Sequence, residues 1–187
     1  MKNILVIAFI IICGLNLSAQ NSITVQIVLK TNDTIHGSMW IRKNFFDKKF
    51  IYSTSFNDKV KFYNRSGQKR KIRAREIIEL TFTDLNGENR KFISKKEFKN
   101  HIVEVIYQNK IELYKHYYFD TFNRVENYSY YIFDHKGNKF SFGPYGNIKN
   151  KLKKMTEQNS DIMKYINNNE MNFENILTVI KMYEDII

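Results

Sequence analysis

Cysteine is almost absent from this chain of 187 residues, which has only Cys13. Disulfide staples, thiolate zinc sites and CxxC redox chemistry are therefore excluded. Proline occurs once, at Pro144, and glycine seven times. The sequence also has no HExxH zinc motif, no GxSxG nucleophile elbow and no glycine-rich phosphate loop. These absences leave the commonest hydrolase and nucleotide-binding classes without a supporting motif.

The first twenty residues have the pattern of a secretory signal peptide. Lys2 gives a positive start, residues 4–17 are mostly apolar, and the small residue Ala19 precedes Gln20. An apolar run of about 14 residues is short for a membrane-spanning helix, which takes about 20. We therefore predict a signal peptide over residues 1–19 and an exported chain with no transmembrane segment after it.

Residues 20–187 are long enough to bury a core without covalent staples, and we predict that they form a single β-rich domain. A lipoprotein signal is disfavoured because the bulky Ile12 precedes Cys13. Aromatic residues make up 15% of the sequence, which argues against disorder.

Period-two alternation of apolar and polar residues runs from about residue 22 to residue 141, which is typical of strands with one buried face. Turn-forming pairs interrupt it at Asn32-Asp33, Ser66-Gly67 and Asn86-Gly87. Short turns join antiparallel strands and leave no room for parallel crossover units. We predict a mainly antiparallel β body of about eight to ten strands, barrel-like or sandwich-like.

From about residue 145 the apolar period becomes helical, as at Ile148, Leu152 and Met155. Asn172 is placed to cap a final helix. Its predicted apolar stripe contains Phe173, Ile176, Leu177, Ile180, Tyr183 and Ile187. We predict two or three C-terminal helices packed on the β body, and hence an α+β fold.

Three features occur at separate places along residues 20–187 and together span nearly all of this range. They are the turn Asn32-Asp33-Thr34-Ile35 followed by Gly37, the strand at residues 110–114 with the pair Tyr117-Tyr118, and the closing helix that ends near Tyr183. In this combination the chain resembles a group of small exported proteins of flavobacteria and related Gram-negative bacteria that have no assigned function. The resemblance implies export and the predicted fold, and it carries no catalytic residues. We therefore expect a periplasmic, extracellular or cell-surface location.

Positive charge is concentrated between Arg42 and Arg75, where twelve basic residues face two acidic ones. Within this segment, alternation places Lys69, Lys71, Arg73 and Arg75 in a row on one face of a predicted strand. Such a row suits phosphate, sulfate or carboxylate groups along a polymer. The predicted anion-binding set is Arg65, Lys69, Arg70, Lys71, Arg73 and Arg75. The alternative is a solvated edge strand whose charges prevent aggregation.

Nine aromatic residues lie between Tyr114 and Phe133, on what should be two neighbouring strands. Tyrosines can stack on sugars or anchor a protein interface, but cross-strand core packing is the more common arrangement.

The four histidines are the first place to look for catalysis, and His116 with Asp120 on one strand face could share a proton or a metal. Glu112, Asp120 and Glu126 could supply a carboxylate pair of the glycosidase kind. Any β protein offers such candidates by chance, so we predict no catalytic residue, no metal site and no cofactor.

These observations favour a non-enzymatic exported protein that binds or scaffolds in the cell envelope. The expected partner is an envelope component such as an anionic glycan or a lipid headgroup. Nucleic acid is disfavoured because export removes the chain from the cytosol. The alternative is an exported enzyme that acts on envelope polymers.

Overall fold

A computed structural model describes residues 21–143, 146–157 and 159–187 of the chain. It confirms the predicted α+β class, with mostly antiparallel strands followed by three helices. The chain divides into two compact units, residues 1–102 and 103–187. The predicted signal peptide, Cys13 and Pro144 lie outside the described residues, and the single-domain organisation stays a prediction.

Eight strands belong to the first unit: β1 (Ser22–Leu29), β2 (Thr34–Trp40), β3 (Arg42–Lys43), β4 (Ile51–Tyr52), β5 (Lys59–Tyr63), β6 (Lys69–Arg73), β7 (Ile77–Thr83) and β8 (Asn89–Ser94). Six of them lie in the order β8-β7-β1-β2-β5-β6, and β3 pairs with β4 separately. The paired strands within this unit are antiparallel. The order ends at β6, so the sheet is open there instead of closing into a barrel.

The strand register separates an apolar face from a polar face in this unit. Ile27 pairs with Leu80, and both side chains are fully buried. Phe56 meets Phe92 edge to face with ring centroids 5.2 Å apart, and Phe82 stacks on Phe92 at 5.8 Å. The residues that alternate with this apolar set face solvent, which is what period-two patterning predicts.

Four strands and three helices form the second unit: β9 (Ile102–Gln108), β10 (Glu112–Asp120), β11 (Val125–Phe133), β12 (Lys139–Phe142), α1 (Ile148–Met155), α2 (Ser160–Asn168) and α3 (Phe173–Glu184). The strands lie in the order β12-β11-β10-β9, with antiparallel pairing from β9 to β12. The three helices begin at asparagine caps, Asn147, Asn159 and Asn172. Each cap side chain accepts a backbone N–H of the first turn, which satisfies donors that a helix start otherwise leaves unpaired.

The helices of this unit pack on one sheet face through a core that includes Leu113 and Ile132. From α3, Ile176 and Ile180 are buried as predicted, and the sequence pattern did not single out the fully buried Val179. Phe173 is 41% exposed. The apolar stripe of α3 is therefore centred on the 176–180 side of the helix, away from Phe173.

Glu184 fixes the end of α3 to the turn between β9 and β10. Its buried carboxylate accepts the Tyr107 hydroxyl, the Asn109 amide at 3.2 Å and the backbone N–H of Ile111 at 2.7 Å. The hydrogen bond to Glu184 raises the pKa of Tyr107. A buried carboxylate with three donors is satisfied, so this contact has a structural role.

No helix among the described residues is both long enough and apolar enough to cross a membrane.

Candidate anion-binding face

A tight turn joins β5 to β6 and sets which side chains share a face. The side chain of Asn64 accepts the backbone N–H of Gln68 at 2.9 Å, and Gly67 has a φ of 80°, which favours glycine. The resulting register pairs Lys59 with Arg73 and Lys61 with Lys71. Directly paired residues point to the same side of a sheet.

Five cations therefore share one side of the β5–β6 hairpin. We call this surface the basic face, and its members are Lys59, Lys61, Lys69, Lys71 and Arg73. All of them are exposed except Lys61, which is half-buried with its Nζ 4.0 Å from the centroid of the Trp40 ring. Among the described residues, no carboxylate forms an ion pair with any of these five cations.

Like charges placed directly opposite each other weaken a strand pair. The Lys59–Arg73 and Lys61–Lys71 pairs both have this arrangement. Alternate residues on one strand lie about 7 Å apart, so the charges form a grid two residues wide. An anion that bridges the two strands would relieve the repulsion, so the electrostatics of the basic face favour anion binding.

The predicted row of four cations is correct for Lys69, Lys71 and Arg73 and wrong for Arg75. The strand ends at Arg73, and Ala74–Glu76 form a 3-10 turn. Ala74 is buried, and its backbone N–H donates to the carbonyl of Asp58 at 2.9 Å. The chain leaves the strand direction in this turn, which removes Arg75 from the row.

The other two predicted residues lie away from the basic face. Arg70 pairs across the hairpin with Phe62, on the opposite side of the sheet, and its guanidinium lies 3.9 Å from the Glu76 carboxylate. Arg65 is exposed in the turn between β5 and β6. The structure therefore brings together three of the six predicted residues in one strand row.

A cavity of about 290 Å³ lies at the end of the hairpin where β6 gives way to the 3-10 turn. Its lining is Asp58, Lys59, Arg73, Ala74, Arg75 and Asn100. Three cations and one carboxylate give this cavity a net positive charge. Its donor groups suit a single phosphate, sulfate or carboxylate group, and Arg75 is a candidate ligand of such a group in this cavity, although it is not part of the strand row.

Sequence reasoning missed Lys59 and Lys61 as members of the site. The available signal was their alternation with the apolar Val60 and Phe62, followed by the turn glycine Gly67. That pattern predicts a hairpin in which the two lysines face the same way as the β6 cations. Only the register identifies which pairs lie opposite each other.

Six of the nine rings in the aromatic cluster of the second unit are buried or half-buried, and several of them pack across its strands. Tyr117 pairs with Tyr128, and the Tyr117 hydroxyl donates to the Glu104 carboxylate at 2.5 Å. Tyr130 stacks on Phe142 with ring centroids 5.2 Å apart, and burial raises the pKa of Tyr130 to about 12. These rings are engaged by their neighbours, which favours the core-packing interpretation over a sugar-stacking surface.

The candidate catalytic carboxylates do not converge within the second unit. Glu112 and Asp120 lie at opposite ends of β10. Asp120 organises the turn to β11 by accepting the backbone N–H of Phe122 at 2.9 Å, and hydrogen bonds from Asn123 lower its pKa. In residues 21–143, 146–157 and 159–187 no three potential ligands group around a metal position. The exported-enzyme alternative stays a prediction.

Comparison with known proteins does not place this chain in a family. No protein-family model matches it. No curated protein and no solved structure matches it either. The interpretation of the basic face therefore depends on its own geometry and charge.

Proposed function

We propose that this protein is an exported, non-enzymatic binding or scaffold protein of the Gram-negative cell envelope that holds anionic polymers on its basic face. The observation that carries the proposal is the grouping of five cations on one side of the β5–β6 hairpin, to which no carboxylate in the described part of the chain is paired. The position of β6 at the edge of its sheet leaves room for an extended ligand.

The spacing of the basic face suits a chain of repeated anionic groups. Lys69 and Lys71 provide point charges about 7 Å apart, and Arg73 can grip a phosphate, sulfate or carboxylate with two hydrogen bonds. The cavity beside Lys59 and Arg75 adds a position for one further anionic group. A surface that recognises charge alone can bind many polymers, so the location of the protein decides among them. The proposed class of ligand is the acidic glycans of the envelope.

Export supports this choice of ligand class. The leader pattern of residues 1–19 and the resemblance to exported proteins of flavobacteria both indicate a location outside the cytoplasm. Acidic glycans and lipid headgroups occur there, whereas nucleic acid is mostly intracellular. The proposed location is the periplasm or the cell surface.

The basic face is tested by the triple substitution Lys69→Gln, Lys71→Gln and Arg73→Gln. We expect this variant to elute from immobilised heparin at clearly lower salt than the wild type, because three of five neighbouring cations are lost. On a nucleic-acid probe, the dependence of log affinity on log salt should become shallower by roughly 0.7–0.9 for each phosphate contact removed.

A matched control removes the same charge elsewhere. Lys151, Lys154 and Lys164 are exposed residues of α1 and α2, and changing all three to glutamine lowers the net charge equally. This control should elute close to the wild type. If the salt concentration for elution fell equally in both triple variants, heparin binding would depend only on total charge. The basic face would then be an ordinary solvated edge.

The export part of the proposal has a separate test. The protein isolated from its own cells is expected to begin at or near Gln20, because Ala19 completes the leader pattern. Mass spectrometry of the intact protein measures this directly. Retention of Met1, or a lipid attached to Cys13, would contradict the proposed processing.

A further inference from the structure

The loop between β3 and β4 exposes two neighbouring phenylalanine side chains. Phe45 is 86% exposed and Phe46 is 95% exposed, and their rings meet edge to face with centroids 5.3 Å apart. We call this pair the aromatic tip. Phe50, which is 44% exposed, follows on the return side of the loop and packs on the Tyr52 ring. Adjacent large apolar groups in solvent mark an interaction surface.

Hydrogen bonds within the loop hold the aromatic tip outward. The side chain of Asn44 accepts the backbone N–H groups of Phe46 at 2.8 Å and Asp47 at 3.2 Å. The side chain of Asp47 accepts the N–H of Lys49 at 2.9 Å, and Asn44 donates its own N–H to the carbonyl of Phe50 at 3.0 Å. These backbone donors are already satisfied, so a less polar medium would not leave them unpaired.

Cations surround the aromatic tip. Arg42, Lys43, Lys48 and Lys49 lie in the same hairpin, and Asp47 is its one carboxylate, which gives a net charge of +3. Arg42, Lys48 and Lys49 are exposed. Exposed aromatic groups flanked by long cationic side chains are typical of segments that lie in the interface of a bilayer.

The charge also selects among possible occupants of this surface. Lysine is depleted from the centres of protein–protein interfaces, which disfavours a protein partner. A second copy of the chain would bring the same positive charge to the aromatic tip and be repelled. Anionic lipid headgroups attract it, and each lysine near such a surface strengthens binding by about five-fold.

We propose that the aromatic tip docks this protein on an anionic lipid bilayer. Phe45 and Phe46 enter the interface, and Lys48 and Lys49 contact the headgroup phosphates. The inference goes beyond polymer binding because it uses a different hairpin from the basic face. The two activities can therefore fail independently.

Cosedimentation with vesicles measures the docking. The wild-type protein is expected to bind vesicles of mixed phosphatidylglycerol and phosphatidylcholine and to bind phosphatidylcholine alone at least ten-fold more weakly. Phe45→Ser with Phe46→Ser should reduce binding to the anionic vesicles at least ten-fold. Both positions are exposed, so the core is untouched and heparin elution should be unchanged. The matched control is Phe122→Ser, which removes a phenylalanine that is 92% exposed in another loop and should bind like the wild type.

A fluorescent probe locates the contact, whatever residues 1–20 contribute to vesicle binding. Trp40 is the only tryptophan, so Phe46→Trp in a Trp40→Phe background places a single indole at the aromatic tip. Its emission should shift to the blue on anionic vesicles and be quenched by brominated acyl chains. Phe122→Trp in the same background should respond to neither.

Several outcomes would overturn the proposal. Unchanged emission at position 46, equal binding to neutral vesicles, or an equal response at position 122 would each show that the aromatic tip does not dock specifically on anionic lipid. A blue shift that depends on protein concentration without vesicles would assign the surface to self-association instead. Absence of heparin retention in the wild-type protein, with intact vesicle binding, would refute the polymer proposal alone.

Discussion

Gly37→Ala is expected to destabilise the first unit by about 3 kcal/mol, at the upper end of what overpacking costs. A Cβ atom at position 37 would lie 2.2 Å from the carbonyl oxygen of Tyr63 and 2.6 Å from Cζ of Phe62. The nearer atom belongs to the backbone of β5, so a side-chain rotation cannot relieve the clash. The β2 and β5 strands would have to separate, with loss of the pairing between Ser38 and Tyr63.

The sign of this effect is informative because glycine inside a strand normally lowers stability by roughly 0.5–1 kcal/mol relative to alanine. Urea unfolding followed by the fluorescence of Trp40, which lies on β2, measures it. Gly143→Ala is the matched control, because a Cβ there meets no atom of the described residues closer than 3.9 Å. An increase in stability for Gly37→Ala would mean that β5 does not approach β2 this closely.

Ile180→Ala is expected to lower the free energy of unfolding of the second unit by roughly 3–5 kcal/mol. The side chain is fully buried in a core that contains Leu113 and Ile132. Removing it loses the transfer free energy of three carbon groups and leaves a cavity that the rigid sheet cannot fill. Loss of the circular dichroism signal at 222 nm in urea reports this unit, since the three α-helices of the described residues belong to it.

Leu177→Ala is the comparison variant on the same helix. Leu177 is only half-buried, so we expect a loss of about 1–2 kcal/mol. The two substitutions alter helix propensity similarly, and the difference between them reports burial. Equal decreases in the free energy of unfolding for the two variants would show that α3 does not pack through the face that contains Ile180.

Local patterning was sufficient for much of the fold. Alternation predicted β1 and β2, and the turn at Ser66-Gly67 was predicted where β5 returns as β6. The helical period from Ile148 and the cap at Asn172 were also correct. These features depend on residues within a few positions of one another, so they can be predicted directly from the sequence.

Local patterns in the sequence did not predict the contacts between residues that are far apart in the chain. The closeness of Gly37 to Tyr63, and the role of Glu184 at the β9–β10 turn, join residues far apart in sequence. Closure of the sheet was another such property, and the sheet is open at β6. No periodicity encodes which strand lies beside which, because alternation specifies faces and not neighbours.

By itself, the sequence determined the alternation of buried and exposed residues on strands such as β1 and β7, and it placed the excess positive charge between Arg42 and Arg75. The tertiary structure decided how that charge is distributed between the β3–β4 and β5–β6 hairpins and which cations share a face. Register set Lys59 opposite Arg73, the 3-10 turn after β6 moved Arg75 off the strand, and the β3–β4 loop placed Phe46 in solvent. The physical reason is that charge is a property of each residue, whereas a binding surface requires side chains from separate segments to face the same way.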